Sequence, residues 1–214
     1  MSGAARYLSR APTRADVKSI WVGLRPLVKP QGEDAENTKS LSREHTVLVG
    51  RSGLLTVTGG KWTTYRHMAE DCVDHCITLG RLRDEPCTTK NLHIHGYVDA
   101  LDEPLHEDEP LAVYGADADA IRTLARDAAL AAPLHPDLPY IGAEIVWGAR
   151  AEMARSVEDA LARRTRALFL NAGAAMAMAE STARLLAREL GRDEAWVAAQ
   201  VSEFRALAQE YKVM

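Results

Sequence analysis

The hydrophobic pattern changes character twice along the 214 residues. In the first part apolar and polar side chains alternate, the period of two that marks half-buried strands. In the stretch 19–27, Ile20, Val22 and Leu24 fall on one face and Trp21, Gly23 and Arg25 on the other, with Pro26 limiting further pairing. Residues 45–49 and 54–58 flank the turn Gly50-Arg51-Ser52-Gly53, which predicts an antiparallel hairpin. Gly59-Gly60 then breaks the second strand, and from Lys61 the period lengthens to three and four. Trp62, Tyr65, Met68, Ala69, Cys72, Val73, Cys76 and Ile77 make one apolar stripe of a helix.

The remaining stretches follow from local chemistry. Residues 4–9 are a short helical stretch, and Thr13 with Asp16 three residues on has the form of a capping box. The polar stretch 30–41 reads as a surface loop, and residues 92–95 alternate briefly as a short strand. The acidic, two-proline run 102–110 reads as a linker. Beyond it the chain is alanine-rich and helical. Asp117 is expected to cap a helix that buries Ile121, Leu124, Ala125 and Ala128, followed by a three-proline loop at 133–139 and a helix over 144–154. Ser156 and Asp159 suit a capping box for a helix over 157–169, and Gly191 a stop for one over 172–190. Asp193 caps a last helix with Val197, Val201, Phe204, Ala208 and Tyr211 on one stripe. The sum is an α+β chain: antiparallel strands and one helix over residues 1–88, a linker over 89–113, and an all-α bundle of about five helices over 114–214.

A hydrophobic content of 47% supports a real core, and a net charge of −4 argues against non-specific nucleic-acid binding. Cys72 and Cys76 sit one turn apart on the apolar stripe and read as buried free thiols, with Cys87 the odd third. Neither they nor His93 and His95 on their short strand have a further ligand at metal spacing, so no metal site is expected. No run approaches a membrane span, and the start has no signal-peptide core. Reduced cysteines suit a cytoplasmic compartment.

The chemistry concentrates where strand, double glycine and helix meet. Bare backbone N–H groups and the positive end of a helix dipole suit an anion or a polarised ring oxygen, and Lys61 adds a charge at the rim. Arg43, just before the first hairpin strand, and Lys61, just after the second, stand side by side in an antiparallel hairpin. His45 has a near-neutral unperturbed pKa but ranks below the cations, and His67 reads as solvated.

The residues themselves say more. WVGLRPLV from Trp21, SLSREH from Ser40 and GGKWTTYRHMAED from Gly59, in this order and at about this spacing, resemble FAD-dependent glycerol-3-phosphate dehydrogenase. HPDLPYIGAEIVWGARAEMA from His135 and RRTRALFLN from Arg163 resemble that family's helical C-terminal domain. The resemblance implies a partial FAD-oxidoreductase domain followed by the helical domain. It implies that Arg25, Arg43 and Lys61 gather around the substrate, and that Thr58, Gly59, Gly60, Lys61 and Thr63 lie against the flavin. The activity it implies is oxidation of sn-glycerol 3-phosphate to dihydroxyacetone phosphate through FAD, with electrons passed to a membrane quinone. It further implies peripheral attachment at the cytoplasmic face of the membrane and a homodimer in the full-length form.

None of the 14 glycines stands at the G-x-G-x-x-G spacing that grips the FAD pyrophosphate. The expectation is therefore a C-terminal portion lacking the N-terminal Rossmann segment, unable to hold FAD tightly alone. Two alternatives differ in class: a non-catalytic helical module for membrane or partner docking, and another flavin-dependent oxidoreductase of the same superfamily. The colour of the purified protein separates the first of these from the enzyme.

Overall fold

A computed structural model describes residues 3–24, 44–99 and 109–213. Arg25, Arg43, the expected loop at 30–41 and most of the acidic run 102–110 lie outside the described residues. The chain divides into two units: Gly23–Ile94, and Met1–Val22 together with His95–Met214.

In the first unit, β1 (His45–Val49) pairs antiparallel with β2 (Leu55–Gly59). Gly50 N–H donates to the Leu54 carbonyl at 2.8 Å and Gly53 N–H to the Gly50 carbonyl at 2.9 Å, which closes the expected turn. A short 3-10 turn (Trp62–Thr64) leads into α1 (Tyr65–Gly80). The apolar stripe of α1 is not a core. Trp62, Tyr65 and Val73 are exposed, Cys72 is half-buried and Cys76 is exposed, so the expected burial of both thiols is corrected. Periodicity reports that a helix has an apolar face, not that something covers it. Residues 92–94 form no strand either.

The second unit is a helical bundle. Its helices are α2 (Ala118–Leu124), α3 (Ala128–Ala131), α4 (Gly142–Ala151), α5 (Ala167–Leu170), α6 (Ala172–Leu190) and α7 (Glu194–Gln209). Helix α6 is the central member. Its Ala175, Met178, Ala179, Ala183 and Leu186 are fully buried, and small side chains let α4, α5 and α7 pack close. Phe204 and Ala208 of α7 and Ile145 of α4 complete the core. Asn171 and Asp193 cap α6 and α7 by accepting from Ala174 N–H at 3.1 Å and Trp196 N–H at 2.9 Å. Gly191, with φ 63°, ends α6 in the left-handed conformation expected of it.

Three expectations for this unit are corrected. The three-proline stretch folds as a small hairpin, β3 (Pro133–His135) with β4 (Leu138–Ile141). Strands this short place prolines where few ladder bonds are lost. The helix expected at 157–169 starts on its Ser156–Asp159 box, then becomes a π-helix over Asp159–Arg164 and breaks. The Thr165 N–H and hydroxyl both bond the Ala160 carbonyl, and Arg166 turns left-handed at φ 60°. Asp117 makes no side-chain cap to α2 because its carboxylate pairs instead with His95 Nε2 at 2.9 Å.

Residues up to Val22 group with this unit. Residues 19–24, expected as strand, form none. Ser19 Oγ donates to the Leu168 carbonyl at 2.8 Å, and Ile20 N–H donates to the Tyr211 carbonyl at 2.8 Å rather than to a neighbouring strand. Trp21 lies edge-on to Phe169 at 5.2 Å. Among the described residues no helix is long and apolar enough to cross a membrane.

Candidate active-site turn

The hairpin register sets the site. His45 pairs with Gly59, so the chain leaving β2 passes beside the start of β1. Gly59 and Gly60 both have φ 80°, a conformation open to glycine at little cost. A Cβ on Gly60 would stand 2.4 Å from Met68 Sδ and 3.2 Å from His45 Cβ. The missing side chain at Gly60 therefore makes room for the protein's own Met68 and His45.

After the glycines, Lys61 is extended and exposed. Its carbonyl accepts from Thr64 N–H and Thr64 Oγ1, both at 3.0 Å, which winds the chain into the 3-10 turn and α1. Neither Lys61 nor Thr64 supplies a side-chain cap. No side chain therefore competes with an incoming acceptor for the positive end of this helix start. Thr58 is half-buried at the end of β2, while Gly59 and Thr63 are exposed. The structure therefore brings Thr58, Gly59, Gly60, Lys61 and Thr63 together on one exposed turn. Arg25 and Arg43 lie outside the described residues.

Sequence reasoning missed what stands beneath the turn. His45 Nε2 lies 2.8 Å from Asp71 Oδ2 of α1, and the His45 side chain is only 16% exposed. The His67 ring meets it edge-on at 5.8 Å. His75 Nδ1 reaches the Asp71 carbonyl at 2.8 Å and Asp71 Oδ1 at 3.3 Å. The hydrogen bond from His45 holds the Asp71 carboxyl below its ordinary range, and the charges of His75, His45 and His67 add to this against a smaller opposing effect of burial. The signal was present in the sequence. His67, Asp71 and His75 recur every four residues and so share one face of α1.

A second polar cluster lies in the helical unit. Glu144 of α4 is 3% exposed and accepts from Tyr114 Oη at 3.0 Å and from Ile141 N–H at 2.7 Å. Burial pushes both its carboxyl and the Tyr114 hydroxyl upward. The Ile141 bond lets Glu144 close the N-terminus of its own helix, so this cluster reads as architecture. Among the described residues, no group of three or more His, Cys, Asp or Glu could hold a metal ion.

The family described as the C-terminal domain of alpha-glycerophosphate oxidase matches residues 55–197, from β2 through the turn and the bundle into α7. This chain belongs to that family. Its relatives in the family include a probable mitochondrial glycerol-3-phosphate dehydrogenase of Caenorhabditis elegans, 37% identical over 93% of this chain and 30% of the relative. Another is a mitochondrial glycerol-3-phosphate dehydrogenase of Arabidopsis thaliana, 33% identical over 96% of this chain and 37% of the relative. The chain thus spans about a third of the length of these relatives. Among solved structures it is similar to glycerol-3-phosphate dehydrogenase from Bacillus halodurans complexed with FAD. That match has a TM-score of 0.69 and 25% identity, and it covers 99% of this chain and 45% of the other. The α+β architecture and the resemblance carried by the GGKWTTYR and HPDLPYIGAEIVW stretches agree with this membership.

Proposed function

We propose that this chain is the C-terminal part of an FAD-dependent glycerol-3-phosphate dehydrogenase, oxidising sn-glycerol 3-phosphate to dihydroxyacetone phosphate. The observation that carries the reading is the likeness to an FAD-bound enzyme of that name over 99% of the chain. The residues fit a flavin edge. The left-handed glycine pair presents backbone, not side chains, and the helix start after it has no side-chain cap. FAD, when bound, supplies the two-electron acceptor. Thr58, Gly59, Gly60, Lys61 and Thr63 would hold it, with the helix dipole favouring negative charge at the ring. Lys61, exposed on this turn, would bind the substrate phosphate as a point charge, and Arg25 and Arg43 would grip it through planar forks. The same reading carries electrons to a membrane quinone, with peripheral attachment at the cytoplasmic face and a homodimer in the full-length form.

The test uses the protein expressed from its complete reading frame. Glycerol 3-phosphate should bleach its flavin under anaerobic conditions. Arg43→Ala should weaken substrate binding by about 1.5–3 kcal/mol, the value of a charged hydrogen bond, with flavin content unchanged. Loss of FAD with normal substrate saturation would overturn the phosphate assignment. No reduction by glycerol 3-phosphate would overturn the reading itself.

A further inference from the structure

Whatever turn carries the cofactor edge must be held still, and this turn has little apolar packing to hold it. Among the described residues of the Gly23–Ile94 unit, no side chain belongs to the buried core. Besides Met68, which backs Gly60, the contacts at the turn converge on one residue. His45 begins β1, opposite Gly59 in the ladder, and its Cβ would meet a side chain at Gly60. Its Nε2 reaches across to Asp71 of α1 at 2.8 Å. Asp71 is itself oriented by His75, which touches both its carbonyl and its second carboxylate oxygen.

We propose that His45, oriented by Asp71, is a positioning residue that ties the Gly59-Gly60 turn to strand and helix at once and so sets where Lys61 is presented. The carboxylate selects the tautomer in which Nε2 carries the proton, and the hydrogen bond then fixes the ring plane. The Cβ of the same side chain stands against Gly60, in a stretch of backbone that lacks side chains of its own. A shift of an ångström at a group that touches substrate can cost as much as ~100-fold in rate, so a strut of this kind matters even without touching the reacting atoms. This inference rests on the proposed function for its kinetic consequence, but not for its structural one.

The experiment compares His45→Ala, His45→Gln, Asp71→Ala and the double variant His45→Ala/Asp71→Ala in the flavin-loaded protein from the complete reading frame. Glutamine places an N–H near the position of Nε2 and should restore the bond to Asp71. Amide hydrogen exchange over residues 59–63 is read first, because it needs no substrate. Exchange there should quicken about tenfold in either alanine variant, return toward wild type in His45→Gln, and be no faster in the double variant than in the singles. Unchanged exchange, or additive effects in the double variant, would overturn the proposal. The kinetic readout is KM for glycerol 3-phosphate, expected to rise about fivefold or more in the alanine variants with kcat nearly unchanged and with recovery in His45→Gln. A collapse of kcat that glutamine fails to rescue would mean the ring transfers a proton, which also overturns the positioning role. Quickened exchange with unaltered kinetics would leave the strut standing and remove Lys61 from the substrate site.

Discussion

Replacing Gly60 by alanine tests the central turn without touching any charged group. Two costs add. The first is backbone: at φ 80° an alanine loses roughly 1 kcal/mol or somewhat more relative to glycine. The second is overlap, because the new Cβ would lie 2.4 Å from Met68 Sδ and 3.2 Å from His45 Cβ. Met68 can swing aside, which gives up packing and rotamer preference worth about 1 kcal/mol. His45 Cβ is fixed on β1 and must shift by a few tenths of an ångström. The expected total is about 2–3 kcal/mol.

Gly53 supplies the control. It has nearly the same φ, 82°, but nothing within 4 Å of an added Cβ, so Gly53→Ala should cost only the backbone component. Native-state hydrogen exchange of the β1, β2 and α1 amides measures both variants locally. A third variant, Gly60→Ala with Met68→Ala, should show a favourable coupling of about 1 kcal/mol, since shortening Met68 relieves the overlap. If Gly60→Ala proves no worse than Gly53→Ala, or if Met68→Ala brings no relief, then the turn is not packed against the helix as described and the strut argument for His45 loses its geometry.

Two further outcomes concern the helical unit. Asp193→Ala removes the cap bond to Trp196 N–H and should lower stability by about 1 kcal/mol, seen as a lower Tm with the unfolding slope unchanged. Glu144 gives a pH signature: burial raises its carboxyl above the ordinary value of 4.5, so the folded state binds the proton more tightly than the unfolded. Stability should then fall as pH rises from 4.5 through the raised folded value, and Glu144→Gln should flatten that limb in urea titrations across pH. A limb that persists in the glutamine variant would assign it to another group.

How much of this was legible in the sequence depended on whether the signal was local. Helix α6 and the start of α7 were readable to the residue, because Gly191 and Asp193 are caps whose chemistry acts within a few residues. The hairpin was readable for the same reason, its turn and alternation being adjacent, with β2 shifted by one residue. What failed depended on distant partners. Residues 19–24 alternate as a strand does, yet their backbone goes to the Tyr211 carbonyl of the bundle. Asp117 has the composition of a cap but lies within reach of His95. The site divided in the same way. Gly59, Gly60, Lys61 and Thr63 lie within five residues and stand on one turn, whereas the spacing of His67, Asp71 and His75 shows a shared helix face but not that His45 of β1 pairs with it.

The two units are stabilised by different physics, and the division suits the proposed activity. The bundle buries a continuous set of apolar side chains around α6 and should open only near the global free energy. The hairpin unit orders its turn through a ladder, a glycine pair and the His45–Asp71 bond, while Trp62, Tyr65, Val73 and Leu82 stay exposed. Polar pins are directional where apolar packing is not, since a hydrogen bond weakens steeply when its angle or length is wrong. A turn that must present one ammonium group and a row of amides at a defined place gains more from direction than from bulk. The bonds at His45 and Asp71 are partly exposed, so each is worth little in stability. Their removal is therefore expected to alter where Lys61 stands before it alters whether the chain folds.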